Sequence, residues 1–365
     1  MKPIHKILSV NADRFACGHY RVIWPDQVIN SRHENFQINT LEALPTFPSF
    51  YEGISKIKVQ RPCSSQHIKY FQWLQEIKNK TNLKVIYEVD DIILSEDIPK
   101  YNSNKDFFHS QRENIISLMK YFCDEILTPS VILSEYYKDK TGNNNVSVIP
   151  NYVPKIWMDR FFSEEKMLDR YTKSKSKPKI LFPVSASHFD YKNKNNGLDD
   201  FTHITDLITK TVDDFEWIFF TSYPSSLHKL VTEGKIKCYS FQNIYDYPYV
   251  IDKIEPNLIV APLSDSIFNQ CKSDIKFKEA CSMGIPSIMQ DLAPYEKAFL
   301  KFKTGSELAD LIKLTLKDES SYINCCKEAQ SFAKDNWLEN EENIGKHIGC
   351  YTKNDSVPLN NLSYY

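Results

Sequence analysis

The stretch FNQCKSDIKFKEACSMGIPSI, residues 268–288, decides the reading of this chain. Its front is polar and charged, and its end is an apolar run behind Gly284-Ile285-Pro286. Ser273, Lys276 and Glu279 recur every third residue, which puts them on one stripe of a helix predicted over 272–283. Gly284 stops that helix, and a strand follows over 285–290. A helix start carries free N–H groups and partial positive charge. Ser273 can donate to a phosphate there and Lys276 can neutralise it, whereas Glu279 suits a ribose diol. The same residues also fit a solvated helix face with a Lys–Glu pair.

The pattern extends in both directions. Apolar runs predict strands over 5–12, 84–90, 125–130 and 146–151, and a second series over 177–185, 215–222, 236–241, 257–262 and 285–290. Helical patterns lie between them at 64–79, 106–122, 130–139, 197–211, 306–317 and 320–335. Near-continuous hydrophobic strands alternating with helices imply parallel sheets covered on both faces. The Lys/Ser-rich TKSKSKPK (172–179) reads as a junction between the two series. The expected division is 1–165, a linker at 166–179, 180–335, and a terminal helix or tail at 336–365 that packs back on the first domain. Such a pair of sheets places ligands at the carboxyl ends of the strands, in the cleft between the domains.

Candidate site residues therefore follow strands. Gly18 and Arg21 sit in the turn after the first strand, where open N–H groups and a guanidinium suit an anion, with Tyr20 between them. The spacing is not that of the dinucleotide-binding glycine fingerprint. Asp90 and Asp91 end the strand at 84–90, where carboxylates can orient hydroxyls, act as a base or hold a divalent cation. Ser185, Ser187, His188, Lys192 and Lys194 share the loop after the strand at 177–185. Asn151 ends the strand at 146–151.

The remaining signals are mostly exclusions. Charge is close to balanced at −2, so the chain as a whole is not a basic nucleic-acid binder. The 365 residues contain no apolar run long enough to span a membrane, and the N-terminus reads as a strand rather than a signal peptide. Nine cysteines, with no Cys-x-x-Cys pair, argue against a zinc knuckle or a disulfide framework and for a reducing cytoplasm.

Several of these segments resemble one family. KFKEACSMGIPSI resembles the glutamate-helix-Gly-x-Pro-strand signature of family 4 glycosyltransferases, which have the GT-B fold. VSVIPN is similar to the strand ending in Pro-Asn that closes their first domain, and DEILTPSVILSEYY to their strand, polar turn and helix. CGHYRVIWP and YEVDDIIL are similar to a phage-type and bacterial subgroup with Cys-x-x-Tyr-Arg and Asp-Asp motifs. The resemblance spans residues 5–335. It implies two Rossmann-like domains facing a cleft and retaining transfer from a nucleotide-sugar, UDP-linked, with no required metal. It implies that Glu279 binds the donor ribose, that Ser273 and Lys276 lie at the diphosphate and sugar, and that Lys192 or Lys194 supplies the basic residue of the second domain. Gly18 would lie against the diphosphate. Ser185, His188 and Arg21 complete the donor set, Lys276, Asp90 and Asp91 the catalytic set, and Tyr20, Asp90 and Asp91 the acceptor side.

The chain departs from the family pattern twice. Cys271 stands eight positions before Glu279, where a first glutamate is usual, leaving Lys272 and Asp274 as candidates for its role. Asp90 stands where a histidine is usual. The phage-type motifs point to a 5-hydroxymethylated pyrimidine in DNA as acceptor, with a cell-surface or lipid-linked glycan as the alternative. No obligate protein partner is implied. Rival classes are a non-catalytic nucleotide-sugar or DNA-binding protein and a nucleotide-sugar epimerase.

Overall fold

The computed structural model describes residues 5–190 and 198–353. Twelve strands form two six-stranded sheets in which every pairing is parallel. The first holds β1 (His5–Val10), β2 (Phe36–Leu41), β3 (Lys56–Gln60), β4 (Lys84–Glu88), β5 (Glu125–Thr128) and β6 (Val146–Val148), in the order β2-β1-β3-β4-β5-β6. The second holds β7 (Lys179–Phe182), β8 (Glu216–Phe220), β9 (Lys237–Tyr239), β10 (Leu258–Ala261), β11 (Ser287–Gln290) and β12 (Leu300–Phe302), in the order β12-β11-β10-β7-β8-β9. Chain direction across the sheet reverses between β1 and β3 in the first and between β7 and β10 in the second. Those two points open the crevices where loops diverge and ligands can enter.

Three strands lie outside the sequence expectation. β2 is an edge strand that alternates buried and exposed residues, and β12 has only three residues. β3 is the informative case, because KIKVQ looks like a half-exposed segment yet all five residues are buried. Its lysines find partners inside: Lys58 Nζ ion-pairs with Asp26 Oδ1 at 3.0 Å, and Lys56 Nζ donates to the carbonyl of Cys350 at 3.2 Å.

Most of the expected linker is helical. Residues Glu164–Ser174 form a helix, with the Ser163 hydroxyl accepting from the Lys166 N–H at 3.1 Å as its cap. Arg170 is buried and donates to the carbonyls of Met283 and Gly284 at 3.2 and 3.3 Å. A Lys/Ser-rich composition conceals this, because one guanidinium on the inner face anchors the helix. Beyond Trp337 the chain returns to the first sheet. The helix Glu341–Thr352 packs there, with Tyr351 Oη donating to Asp26 Oδ1 at 2.7 Å.

Candidate active site

The first wall of the crevice starts at Asp13. Its Oδ1 accepts from the N–H groups of Phe15 and Gly18 at 2.8 and 3.2 Å, and its Oδ2 pairs with Arg61. The helix start after β1 is thus occupied by the protein's own carboxylate. A Cβ on Gly18 would collide with the Asp13 carbonyl, so close approach of that loop explains the glycine. The Gly18 N–H expected to face an anion is engaged by the Asp13 carboxylate.

Arg21 likewise differs from expectation. Residues His19–Ile23 make a π-helical turn leading into the helix Trp24–Arg32, and Pro25 leaves the Arg21 carbonyl without a helical donor. Lys58 Nζ reaches that carbonyl at 3.4 Å. The Arg21 guanidinium is buried, donating to Glu88 at 2.6 Å, to Asn151 Oδ1 at 3.0 Å and to the Ile149 carbonyl. Its charge is committed to joining β4 and β6, and none is left for a phosphate.

Asp90 and Asp91 lie where the strand pattern predicts, just past β4. Asp90 Oδ1 is 3.6 Å from Arg61 Nε, and Arg61 holds a left-handed φ of 48° at the end of β3. Burial raises the Asp90 pKa, but Arg61, Cys17 and Arg21 outweigh it and hold the carboxyl below its usual value. Asp91 shifts the other way, because burial and the adjacent Asp90 outweigh the pull of Lys272, 3.3 Å away. Two adjacent carboxylates pushed apart in acidity suit division of roles. Buried Oδ1 atoms of both, and Arg61 Nε, have no hydrogen-bond partner among the described residues, although Asp90 Oδ1 and Arg61 Nε form an ion pair with each other.

The second wall carries the opening motif. The helix runs Ile275–Ser282, three residues shorter at its start than predicted, so Ser273 lies in the turn before it. Ser273 Oγ accepts from Asn151 Nδ2 at 2.9 Å. Lys276 Nζ meets Glu279 Oε2 at 2.9 Å, and Glu279 also accepts from Tyr20 at 2.8 Å and Tyr247 at 3.1 Å. Burial and the Glu279 charge raise both phenol pKa values, keeping these groups as donors. The stripe is therefore no solvated face: Glu279 is 3% exposed. Asp274 ion-pairs with buried Lys278 at 3.0 Å. Tyr20, expected on the acceptor side, is buried against Glu279.

His188 Nδ1 lies 2.7 Å from Asp200 Oδ2 in the loop after β7, and Ser185 and Ser187 share a hydrogen bond of 2.7 Å beside it. Lys192 and Lys194 fall outside the described residues. Cys271 is wholly buried in the apolar cluster of the first sheet, with Phe268. Sequence reasoning missed Arg61, Asp200 and Tyr247. Arg61 follows a strand whose lysines disguise it, Asp200 lies twelve residues from its partner, and Tyr247 is one of many tyrosines in the chain.

No group of three or more His, Cys, Asp or Glu among the described residues is arranged to hold a metal ion. No helix among them is long and apolar enough to cross a membrane.

No family model matches the chain, and no curated protein matches it by sequence. Solved structures do match. HepE from Anabaena, solved in complex with UDP-glucose, has a TM-score of 0.61 at 12% identity, covering 94% of this chain and 99% of its own. The catalytic domain of starch synthase IV from Arabidopsis thaliana, bound to ADP and acarbose, has a TM-score of 0.63 at 8% identity, covering 96% and 99%. A Listeria monocytogenes protein named for UDP-N-acetylglucosamine 2-epimerase has a TM-score of 0.53 at 10% identity, covering 97% and 98%. The two sheets and their connections are those of the GT-B fold.

Proposed function

We propose that this chain is a retaining glycosyltransferase that moves a sugar from a UDP-linked donor to an acceptor hydroxyl. The observation that carries the reading is the interdomain crevice itself. One wall holds the Lys276–Glu279 pair beside Ser273, and the other holds Asp90 and Asp91, each with a buried oxygen that accepts no hydrogen bond among the described residues. Unsatisfied buried polar atoms facing a cleft mark a place a ligand completes. The fold is one in which other proteins have been solved with UDP-glucose.

In this reading Glu279 takes the donor ribose, and Lys276 with the turn at Ser273 faces the diphosphate. The bond between the anomeric carbon and the phosphate oxygen breaks, and its electron pair leaves with UDP. Fixed donors aimed at that developing charge supply the main catalytic effect. Asp90, held ionised, and Asp91, more readily protonated, orient the acceptor hydroxyl, whose oxygen bonds to the anomeric carbon while its proton passes to the leaving diphosphate oxygen. Closure of the two walls limits loss of donor to water.

The acceptor we favour is a 5-hydroxymethylated pyrimidine in DNA. The Cys-x-x-Tyr-Arg and Asp-Asp motifs support it, and the Phe15 ring, 59% exposed on the first wall's lip, offers a stacking face to an unstacked base. The lysines of the helix Ser65–Lys78 lend less than their number suggests, because Lys78 is paired with Asp124 at 2.7 Å. Incubation with a panel of nucleotide sugars and hydroxymethylated DNA, followed by nucleoside mass analysis, tests donor and acceptor together. Epimerisation is the second reading, favoured by the Listeria match. Product analysis without acceptor separates the two.

A further inference from the structure

We propose that Asp200 is a positioning residue that fixes His188 with its proton on Nδ1, so that Nε2 accepts a hydrogen bond from a hydroxyl of the bound sugar and reads the donor's identity. The inference rests on the nucleotide-sugar reading above and assigns a role that Cys271 cannot fill.

The geometry settles which atom carries the proton. Asp200 is 1% exposed, at the point where the second sheet reverses direction between β7 and β10. Its Oδ1 accepts from Tyr101 Oη at 2.7 Å, Asn269 Nδ2 at 2.7 Å, Ser264 Oγ at 2.8 Å and Ser264 N at 2.9 Å. Those donors and His188 outweigh burial and hold the carboxyl below its usual range. An ionised carboxylate has no proton to give, so at 2.7 Å the His188 Nδ1 must be the donor. With its one proton held on Nδ1, the neutral form of the ring presents a lone pair at Nε2. Nε2 has no hydrogen-bond partner among the described residues, and the side chain is 17% exposed. An acceptor atom suits a sugar hydroxyl, which has a hydrogen to offer, better than an ionised diphosphate, which has none.

Position agrees with chemistry. Lys272 Nζ of the second domain lies 3.3 Å from Asp91 Oδ2 of the first, so the two rims of the crevice lie close together. Tyr101 comes from the first domain's side, so Asp200 also ties the histidine to the opposite wall. Cys271, by contrast, is 0% exposed and packed with Phe268, where no sugar reaches it.

The test uses the full chain with UDP-glucose and its 2-, 3-, 4- and 6-deoxy analogues. The wild type is expected to lose on the order of a hundredfold in kcat/KM with one analogue, because the matching acceptor is left unpaired. That penalty is expected to shrink to a fewfold in both His188→Ala and Asp200→Asn, and to shrink no further in the double variant. Imidazole nitrogen NMR is expected to show His188 protonated on Nδ1 in the wild type and mixed in Asp200→Asn. An undiminished deoxy-sugar penalty in His188→Ala, or an unchanged tautomer in Asp200→Asn, overturns the proposal. A wild type inert to every nucleotide sugar, with Nδ1 still protonated, overturns the transferase reading while leaving the Asp200–His188 coupling standing. Because Asp200 is buried, folding of each variant is checked by the same NMR spectra.

Discussion

Tyr20, on the helix after β1, donates its phenol to Glu279 Oε1 of the second domain at 2.8 Å, and each residue is 3% exposed. The contact joins the two domains at the carboxylate assigned to the donor ribose. Two phenols and Lys276 fill three of the roughly four acceptor positions a carboxylate offers. Donor binding therefore competes with, or rearranges, a bond that already holds the crevice together.

Tyr20→Phe is the first consequence. Removing the hydroxyl costs about 1 kcal/mol of stability, the net worth of one hydrogen bond. It also frees Oε1 for the ribose, so UDP is expected to bind up to about fivefold more tightly. Calorimetric titration with UDP, beside a urea unfolding curve, checks both; weaker binding would assign Tyr20 to the ligand contacts instead.

Lys276→Ala separates chemistry from folding. Lys276 is partly exposed and its loss leaves Tyr20 and Tyr247 on Glu279. Turnover is expected to fall roughly a hundredfold to a thousandfold, the scale for removing one preorganised donor. The melting temperature should move by only a few degrees.

Cys271→Glu restores the residue usual at this position in the resembled family, and it is expected to fail. The side chain would enter an apolar cluster with Asp91 and Asp97 nearby, an environment that already pushes the thiol up to about 12. An uncompensated buried charge costs ~3–5 kcal/mol. Denaturation midpoints of the variant should drop sharply, with no gain in activity. The same burial predicts that iodoacetamide leaves Cys271 unmodified in the folded protein.

Acid should weaken the fold through His347. It is 4% exposed, and burial first, then Lys58, Arg21 and Lys346, lower its pKa. An unfolded histidine titrates near ~6.5. Below that value the unfolded chain binds a proton that the native state refuses, so stability present above ~6.5 is lost as pH falls. Urea midpoints at mildly alkaline and mildly acidic pH should differ, and His347→Phe should flatten the difference.

Much of the fold is legible in the sequence because its inner strands are continuous apolar runs between helical patterns. β3 escapes because its buried lysines imitate an exposed face, and the helix Glu164–Ser174 because Arg170 is a single inward residue among many outward ones. At the site, local spacing identifies Lys276 with Glu279 and Asp90 with Asp91. Partners remote in sequence, such as Arg61 with Asp13 and Asp200 with Tyr101, depend on how the sheets close. The partners of Gly18 and Arg21 are of the same kind, since Asp13 and Glu88 reach them in ways local spacing does not show.

The most direct measurement is mass analysis of nucleosides after wild-type protein meets UDP-glucose and other nucleotide sugars with 5-hydroxymethylated DNA. The account predicts free UDP and a pyrimidine nucleoside heavier by one sugar, both diminished in Lys276→Ala. Every nucleotide sugar recovered intact, with and without acceptor, would contradict it.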